Sequence, residues 1–484
     1  MQVFVQGKIL GIDAFMREAG ADDGAFAGRS LYVSLLAEIL PRTLLDQLKL
    51  SRMLLGSSGG GQFLVVLPSE SMGEAEQFFH FVNERLAAGC EQPLRVVWAS
   101  TENLGDWSDV RKRLNESMDR KLGILPDLSP AATFQPFVPR STGVANDYFR
   151  SGIFGKLRSA KRAGWDPDAL GLIVLDGGSP SWPLHDTPGE EALPIAAHLA
   201  PGDSENDAAS TAMLGRRSAG IPLWGVLRGD VDNFGARLRR ATTVEEHVQF
   251  SVFFKQFFAG ELQVACSMGE FWQRVSVLYS GGDDFAVYGS WDALIPFARE
   301  FQRLFARSVD EFLKEYPGPE GKTISMAIAV AASAEQPLVE VYEEAGRQLE
   351  ITKSLGKDTI SVLGRTLEWK QLTEAAEIKD SMLRLIAEFN CSPQFLSELA
   401  SFYRETDLGL AVRTTRSRME RFDRPWRFHR RLSRLLEGPS RDREFQKARA
   451  GLLGEFIGKN QAHVKLRPSG RVALEWARFM SQAE

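Results

Sequence analysis

A chain of 484 residues, 44% hydrophobic and 25% charged, is longer than one hydrophobic core usually serves, so two to four domains are expected and global disorder is excluded. Its three cysteines, Cys90, Cys266 and Cys391, lie far apart, which excludes a disulfide framework or cysteine zinc site and fits a reducing cytoplasm. The net charge of −5 gives no global attraction to nucleic acid, and no run is long and apolar enough to span a membrane; polynucleotide contact would need local patches or partner proteins.

Periodicity and turn residues give the elements in chain order. Val3 to Ile12 reads as a strand and Arg29 to Leu48 as a helix interrupted near Pro41. Met53 to Gly56 and Phe63 to Leu67 read as two strands about a glycine turn, Glu74 to Ala88 as a helix and Leu94 to Ala99 as a strand. Strand, helix, strand, strand, helix, strand is the split ferredoxin-like order. Residues 125–220 are rich in Pro, Gly, Ser and Asp, as in Asp176-Gly-Gly-Ser-Pro-Ser-Trp182, and read as a small irregular linker domain with an exposed loop.

The same order then returns. Leu223 to Asp230 is a strand, Val244 to Val264 an amphipathic helix, and Val275 to Tyr279 and Phe285 to Tyr288 are strands about a second glycine turn. The helix Trp291 to Tyr316, the strand Thr323 to Val330, the helix Leu338 to Lys353 and the strand Thr359 to Leu363 complete the copy. Beyond Arg365 strand signals vanish, and Lys370 to Phe389 and Phe395 to Tyr403 suggest a helical bundle. The expected fold is α+β, with two ferredoxin-like domains at 1–124 and 221–364, the irregular domain at 125–220 and the helical domain at 365–484.

The second copy carries the chemistry. Asp230 and Asp232 end its first strand, and Asp283 and Asp284 occupy the turn Tyr279-Ser-Gly-Gly-Asp-Asp284. In a split fold the first strand lies beside the central hairpin, so these carboxylates should converge at one edge. Magnesium or manganese there would keep coordination sites for substrate phosphates, and two such ions suit in-line attack on an α-phosphate. Gly281 and Gly282 let backbone approach a triphosphate. Gly and Asp are also ordinary turn residues, but the acidic pair upstream in the correct topological position argues against a mere turn. Lys353 and Lys357 flank the end of the last helix, where they could reach phosphates or serve as dipole-compensating lysines.

The first copy has Lys8 near the position of a strand-end carboxylate, and its turn reads Ser57-Ser-Gly-Gly-Gly-Gln62. No metal cluster is expected there. Gly59, Gly60 and Gly61 could cradle an acceptor nucleotide through backbone amides, with Lys8 or Arg29 near its phosphates, or form a plain hairpin. Nine arginines between Arg413 and Arg434 interleave with Trp426, Phe428 and His429, suiting either RNA backbone, an acidic partner or a solvated helix face. Six scattered histidines, with His185-Asp186 the one His-Asp dipeptide, predict no metal nuclease in this sequence.

These motifs resemble the large cyclase subunit of type III CRISPR effector complexes. The best matches are Gly225-Val-Leu-Arg-Gly-Asp-Val-Asp-Asn-Phe-Gly235 and Tyr279-Ser-Gly-Gly-Asp-Asp-Phe-Ala-Val-Tyr-Gly289, supported by Thr323-Ile-Ser-Met-Ala-Ile328, Lys353-Ser-Leu-Gly-Lys357 and, in the first copy, Gly11-Ile-Asp-Ala-Phe15, Gly28-Arg-Ser-Leu-Tyr32 and Ser58-Gly-Gly-Gly-Gln-Phe63. The resemblance implies twin palm domains that join ATP through 3′-5′ linkages into cyclic oligoadenylates once target RNA pairs with a guide RNA carried by partner subunits. It implies Mg²⁺ or Mn²⁺ held by Asp230, Val231, Asp283 and Asp284, and nucleotide contacts from Ser280, Gly281, Gly282 and Asn233. The sequence shows neither the histidine-aspartate nuclease domain nor the cysteine zinc site that many members carry, and Met326-Ala327 stands where Ala-Gly is expected. A diguanylate-cyclase-like enzyme and a catalytically silent scaffold of the RNA-guided complex are the competing readings.

Overall fold

The computed structural model describes residues 1–89, 93–123, 146–204, 206–401, 403, 430–434, 436, 442–456 and 467–482. Its first sheet holds β1 (Gln2–Leu10), β2 (Leu55–Gly59), β3 (Gln62–Pro68) and β4 (Arg95–Glu102) in the order β2-β3-β1-β4, every pair antiparallel. Alternation along β1 sends Val3 and Val5 into the main core and Phe4 to the opposite face, where it meets Leu64. A helix, Trp107–Leu122, covers that face with Trp107, Val110 and Leu114. The reading above did not pick out this helix, although its apolar residues recur at helical spacing.

The helix Asp23–Gln47 is continuous through Pro41 rather than interrupted. Leu35, Leu36, Leu40, Leu44 and Leu45 around the proline are fully buried, and that packing outweighs the loss of one helical hydrogen bond. The helix lies between the two halves of the molecule, and its core also contains Val226, Leu278, Ala286 and Tyr288 of the second sheet. Burial on nearly every side explains why its sequence shows little amphipathic stripe.

The middle region forms a small antiparallel sheet of β5 (Arg162–Trp165), β6 (Ile173–Leu175) and β7 (Ser181–Pro183), ordered β6-β5-β7. Its continuation runs along the edge of the second sheet. The amides of Ala196 and Ala200 donate to Ser280 Oγ and Ser276 Oγ, both at 3.0 Å, and Val277 N donates to the His198 carbonyl at 2.8 Å. An edge that would otherwise expose unpaired backbone is thereby covered.

The second sheet contains β8 (Trp224–Val231), β9 (Val275–Ser280), β10 (Asp284–Ser290), β11 (Ile324–Val330), β12 (Thr359–Val362) and β13 (Arg365–Glu368), in the order β13-β12-β11-β8-β10-β9. Its β9-β10-β8-β11 part repeats the first sheet strand for strand. The sheet extends beyond the expected last strand, because β13 hairpins back onto β12 through Gly364 at φ 76°. The helix Val244–Gln256 passes through a π-helical turn, Phe257–Glu261, into Leu262–Ser267, and with Trp291–Phe312 it packs a phenylalanine-rich core on one sheet face. The helix Leu338–Leu355 lies on the other face. Helices Trp369–Ala387, Arg443–Phe456 and Pro468–Ser481 follow. Of the arginine-rich stretch, residues 413–429 and Cys90 fall outside the described residues, while Cys266 and Cys391 are free and buried. Among the described residues no helix is long and apolar enough to cross a membrane.

Candidate active site

Antiparallel register decides which acidic groups meet. Strand β10 pairs with β8 so that Asp284 stands directly opposite Asp230, and the turn between β9 and β10 presents Asp283 at the same edge. Val231 N donates to the Asp283 carbonyl at 2.9 Å, and Gly281 N to the Asp284 carbonyl at 2.7 Å, which fixes the turn. A Cβ at Gly281 would overlap Asp284 Oδ1, so a side chain there would displace the carboxylate. The Ser280 hydroxyl is engaged by Ala196 N and anchors the strand end.

Burial and neighbouring carboxylates penalise charge on all three carboxyls. Burial, then Asp284 and Asp230, pushes the Asp283 carboxyl up to about 8. Asp284 is raised by burial and by Asp230, against a 2.9 Å hydrogen bond from Tyr279 Oη and the positive charge of Arg228. Asp230 is raised by burial and lowered by Lys353, whose Nζ donates to its Oδ1 at 2.6 Å. An ammonium thus stands beside a carboxylate that a divalent cation would neutralise. This donor set, hard oxygens short of positive charge, suits Mg²⁺ or Mn²⁺. As the side chains are placed, no three His, Cys, Asp or Glu among the described residues form a metal-ligating group.

Asp232 is separate from this cluster. Nearly inaccessible, it accepts hydrogen bonds from Thr323 Oγ1 at 2.7 Å, Ser325 Oγ at 2.8 Å and Asp358 N at 2.9 Å. It ties β8 to β11 and to the loop before β12, a structural duty that strand-end position alone did not reveal. Asn233 is left-handed at φ 60° and accepts from Lys357 Nζ, so both sit at the rim beyond the carboxylates.

A cleft of about 680 Å³ is lined by Asp230 and Asp284 together with Arg228, Tyr279, Asp13 and Tyr342. The Arg228 guanidinium lies 4.2 Å from the Tyr342 ring centre. Tyr279 stands in the turn motif itself, but Tyr342 lies on a distant helix and had no signal in the sequence.

The first sheet reproduces the geometry with other chemistry. Lys8 stands opposite Gln62 as Asp230 stands opposite Asp284, and Ser58 pairs with Phe63 as Ser280 pairs with Phe285. Ser58-Gly-Gly-Gly-Gln-Phe63 therefore superposes in register on Ser280-Gly-Gly-Asp-Asp-Phe285. In each copy the phenylalanine ring fills the space where the facing glycine, Gly7 or Gly229, lacks a Cβ. Gly59, Gly60 and Gly61 all have positive φ, and the turns abut: a Cβ at Gly59 would lie 3.5 Å from Gly282 Cα, and one at Gly60 3.6 Å from Gly282 N. A cavity of about 190 Å³ between the copies is lined by Gly59, Gly60, Trp107, His247, Gly282 and Asp283.

Arg29 cannot reach a nucleotide. It is fully buried, donates to the Phe15 carbonyl at 2.9 Å and Glu18 Oε2 at 3.1 Å, and lies between the Phe15 and Phe149 rings.

Residues 223–361 match the family model described as Cas10/Cmr2, second palm domain, and residues 1–119 match Csm1 subunit domain B. A Mycobacterium tuberculosis protein named CRISPR system single-strand-specific deoxyribonuclease Cas10/Csm1 (subtype III-A) is 23% identical over 448 residues, covering 75% of this chain and 54% of that protein. Its Enterococcus italicus namesake is 29% identical over 182 residues, 35% of this chain and 21% of that one. The chain thus spans about half, or less, of these relatives' length. Csm1 of T. onnurineus has the same fold, with a TM-score of 0.70 at 16% identity over 99% of this chain and 69% of that one. A Csm1–Csm4 cassette in complex with cA4 gives 0.68 at 16% identity, with 99% and 70% covered. By these matches, made in the order in which the chain carries the two sheets, its first domain is similar to domain B of the Csm1 subunit and its second to the second palm domain of Cas10/Cmr2.

Proposed function

We propose that this chain is the nucleotidyl cyclase subunit of an RNA-guided type III effector complex, joining ATP into cyclic oligoadenylates when target RNA is bound. The observation that carries this reading is the register of β8 and β10, which sets Asp230 against Asp284 in the lining of a cleft of about 680 Å³, with Asp283 in the adjoining turn. Csm1–Csm4 cassettes of the same fold have been solved with one ATP, with cA3 and with cA4, which supports a nucleotide-binding role for this chain.

Asp230, Asp283 and Asp284, with the Val231 carbonyl, would hold the Mg²⁺ or Mn²⁺, which when bound activates a ribose hydroxyl and stabilises the pyrophosphate leaving oxygen. Ser280, Gly281 and Gly282 shape the turn so that backbone meets phosphate, and Lys353 and Lys357 supply positive charge at the rim. The first palm offers Gly59, Gly60 and Gly61 at the same edge, with Lys8 in place of a carboxylate, and serves as the acceptor side. We assign residues 1–124 and 221–364 to the palms, 125–220 to the linker and 365–484 to the helical domain. Other type III subunits, guide RNA and target RNA are the expected partners, in the cytoplasm.

The test is mass spectrometry of products from the assembled complex given target RNA, ATP or GTP, and Mg²⁺ or Mn²⁺. Oligoadenylates that require target RNA support the reading. A guanine dinucleotide would establish the diguanylate-cyclase alternative, and no product under any condition would leave a scaffold.

A further inference from the structure

Behind the two abutting turns lies a group of charged side chains that the nucleotide chemistry does not use. Glu38 sits in the middle of the buried helix Asp23–Gln47, and Lys255 stands in the last turn of the helix Val244–Gln256 of the other palm; their side chains are 2% and 8% exposed. Lys255 Nζ donates to Glu38 Oε1 and, at 2.8 Å, to Ser58 Oγ. Ser58 Oγ donates in turn to Glu38 Oε2 at 3.0 Å, closing a ring, and Arg42 NH1 donates to the same Oε2 at 2.6 Å. Arg42 also faces Glu191 at 3.9 Å across the linker.

The ring touches the turns directly. Ser58 opens the glycine turn of the first palm, and a Cβ at Gly59 would meet Lys255 Cδ and Gly282 Cα, each at 3.5 Å. Contact therefore runs from Glu38 and Lys255 through Ser58 and Gly59 to Gly282, the residue before Asp283. Directly after Lys255 the helix makes its π-helical turn, a distortion that shifts the facing of residues around it.

We propose that the Glu38–Lys255–Ser58 ring is a positioning device that fixes the glycine turn of the first palm against the acidic turn of the second. This rests on the cyclase reading for its catalytic consequence, but its structural part stands alone. A buried ion pair adds little stability over apolar groups of similar volume, whereas its directed hydrogen bonds allow one arrangement of the parts it joins. Burial lowers the Lys255 ammonium from its ordinary value, while in Glu38 the effect of burial is outweighed by the charges of Lys255 and Arg42, which lower its carboxyl. The equivalent serine, Ser280, is held instead by a backbone amide, Ala196 N. The acidic turn is thus fixed within its own sheet and linker, and the glycine turn is fixed by the opposite palm.

The test removes both charges together, as Glu38→Gln with Lys255→Met, and separately removes only the hydroxyl, as Ser58→Ala. Amide hydrogen exchange of residues 55–68 in the purified full chain is expected to accelerate about tenfold or more in the double variant relative to residues 2–10, a comparison that separates loosening of the turn from the lower melt expected when Arg42 loses its carboxylate partner. In the assembled complex the kcat for nucleotide joining should fall about tenfold or more while the KM for ATP stays within about threefold. Ser58→Ala should show the same split to a lesser degree, and it carries the test if the double variant does not fold. Unchanged exchange in a folded variant, or loss of KM and kcat in proportion, would overturn the proposal. If the parent complex joins no nucleotides, the cyclase reading fails and the exchange measurement alone decides the ring.

Discussion

The two glycine hairpins share a backbone plan and differ in the chemistry hung on it. In both, a serine and a phenylalanine pair across the hairpin, and the phenylalanine packs into the gap left by a glycine on the neighbouring strand. The second hairpin carries Asp283 and Asp284 opposite Asp230, whereas the first carries Gly61 and Gln62 opposite Lys8. The two copies thus share strand register, which a sheet with buried faces specifies strongly, and differ in the side chains at the open edge. The contrast also explains the electrostatics, because crowding of carboxylates at one edge raises Asp283 to about 8, while the other edge has no comparable cluster.

The largest expected effect comes from making the second hairpin chemically like the first. Asp283→Ala with Asp284→Asn should lower nucleotide joining by at least about a thousandfold while complex assembly and guide-directed RNA binding persist. Asparagine at 284 keeps an acceptor for the Tyr279 hydroxyl, which Asp284→Ala would leave buried and unpaired at a cost of about 1–3 kcal/mol. Product formation at near the parental rate in this variant would remove Asp283 and Asp284 from the chemistry.

A smaller effect should follow from loosening the contact between the copies. His247 on the second palm packs against Trp107 of the first, with ring centres 5.2 Å apart, and burial together with Arg111 lowers its imidazole to about 4. A base depressed in the folded state is neutral there while the unfolded chain takes up a proton. Its stabilising contribution is therefore full above about pH 6.5 and is lost as pH falls toward about 4, amounting to about 3 kcal/mol. His247→Gln should flatten that part of the stability profile in denaturant titrations from pH 7 to pH 4; an unchanged slope would show that His247 is not the group responsible.

The smallest effect is expected from the reverse exchange. Lys8→Asp with Gln62→Asp installs a facing carboxylate pair in the first palm, yet Gly61 still stands where the second has Asp283, and Lys121, at the end of the helix after β4, lies over the Trp98 ring. Nucleotide joining by the inactivated second-palm variant should remain at background. Restored product would mean that the two hairpins are interchangeable and that the assignment of donor and acceptor sides is wrong.

Much of this was legible in the sequence because it depends on local pattern. Alternating apolar residues and glycine turns gave the strands of both palms, and Asp230, Asp283 and Asp284 stood out as acidic residues at the ends of apolar runs. Three features resisted the same reading. The helix Asp23–Gln47 carries Pro41 and no amphipathic stripe, since its environment is apolar on almost every side. Strand β13 is only four residues long and stands directly before a helix, too short for a period to register. Asp232 has the same local context as Asp230, and only the hydroxyls of Thr323 and Ser325 on a neighbouring strand give it a structural role.

By itself, then, the sequence determined the repeated strand order and the location of the acidic turn, because backbone propensity and turn chemistry act over a few residues. Tertiary structure alone decided which carboxylates face each other, that Lys353 reaches Asp230 across 123 positions, and that Lys255 meets Glu38 across 217. Those pairings depend on strand register and on the packing of one palm against the other, and contacts so distant along the chain leave no periodic trace in it.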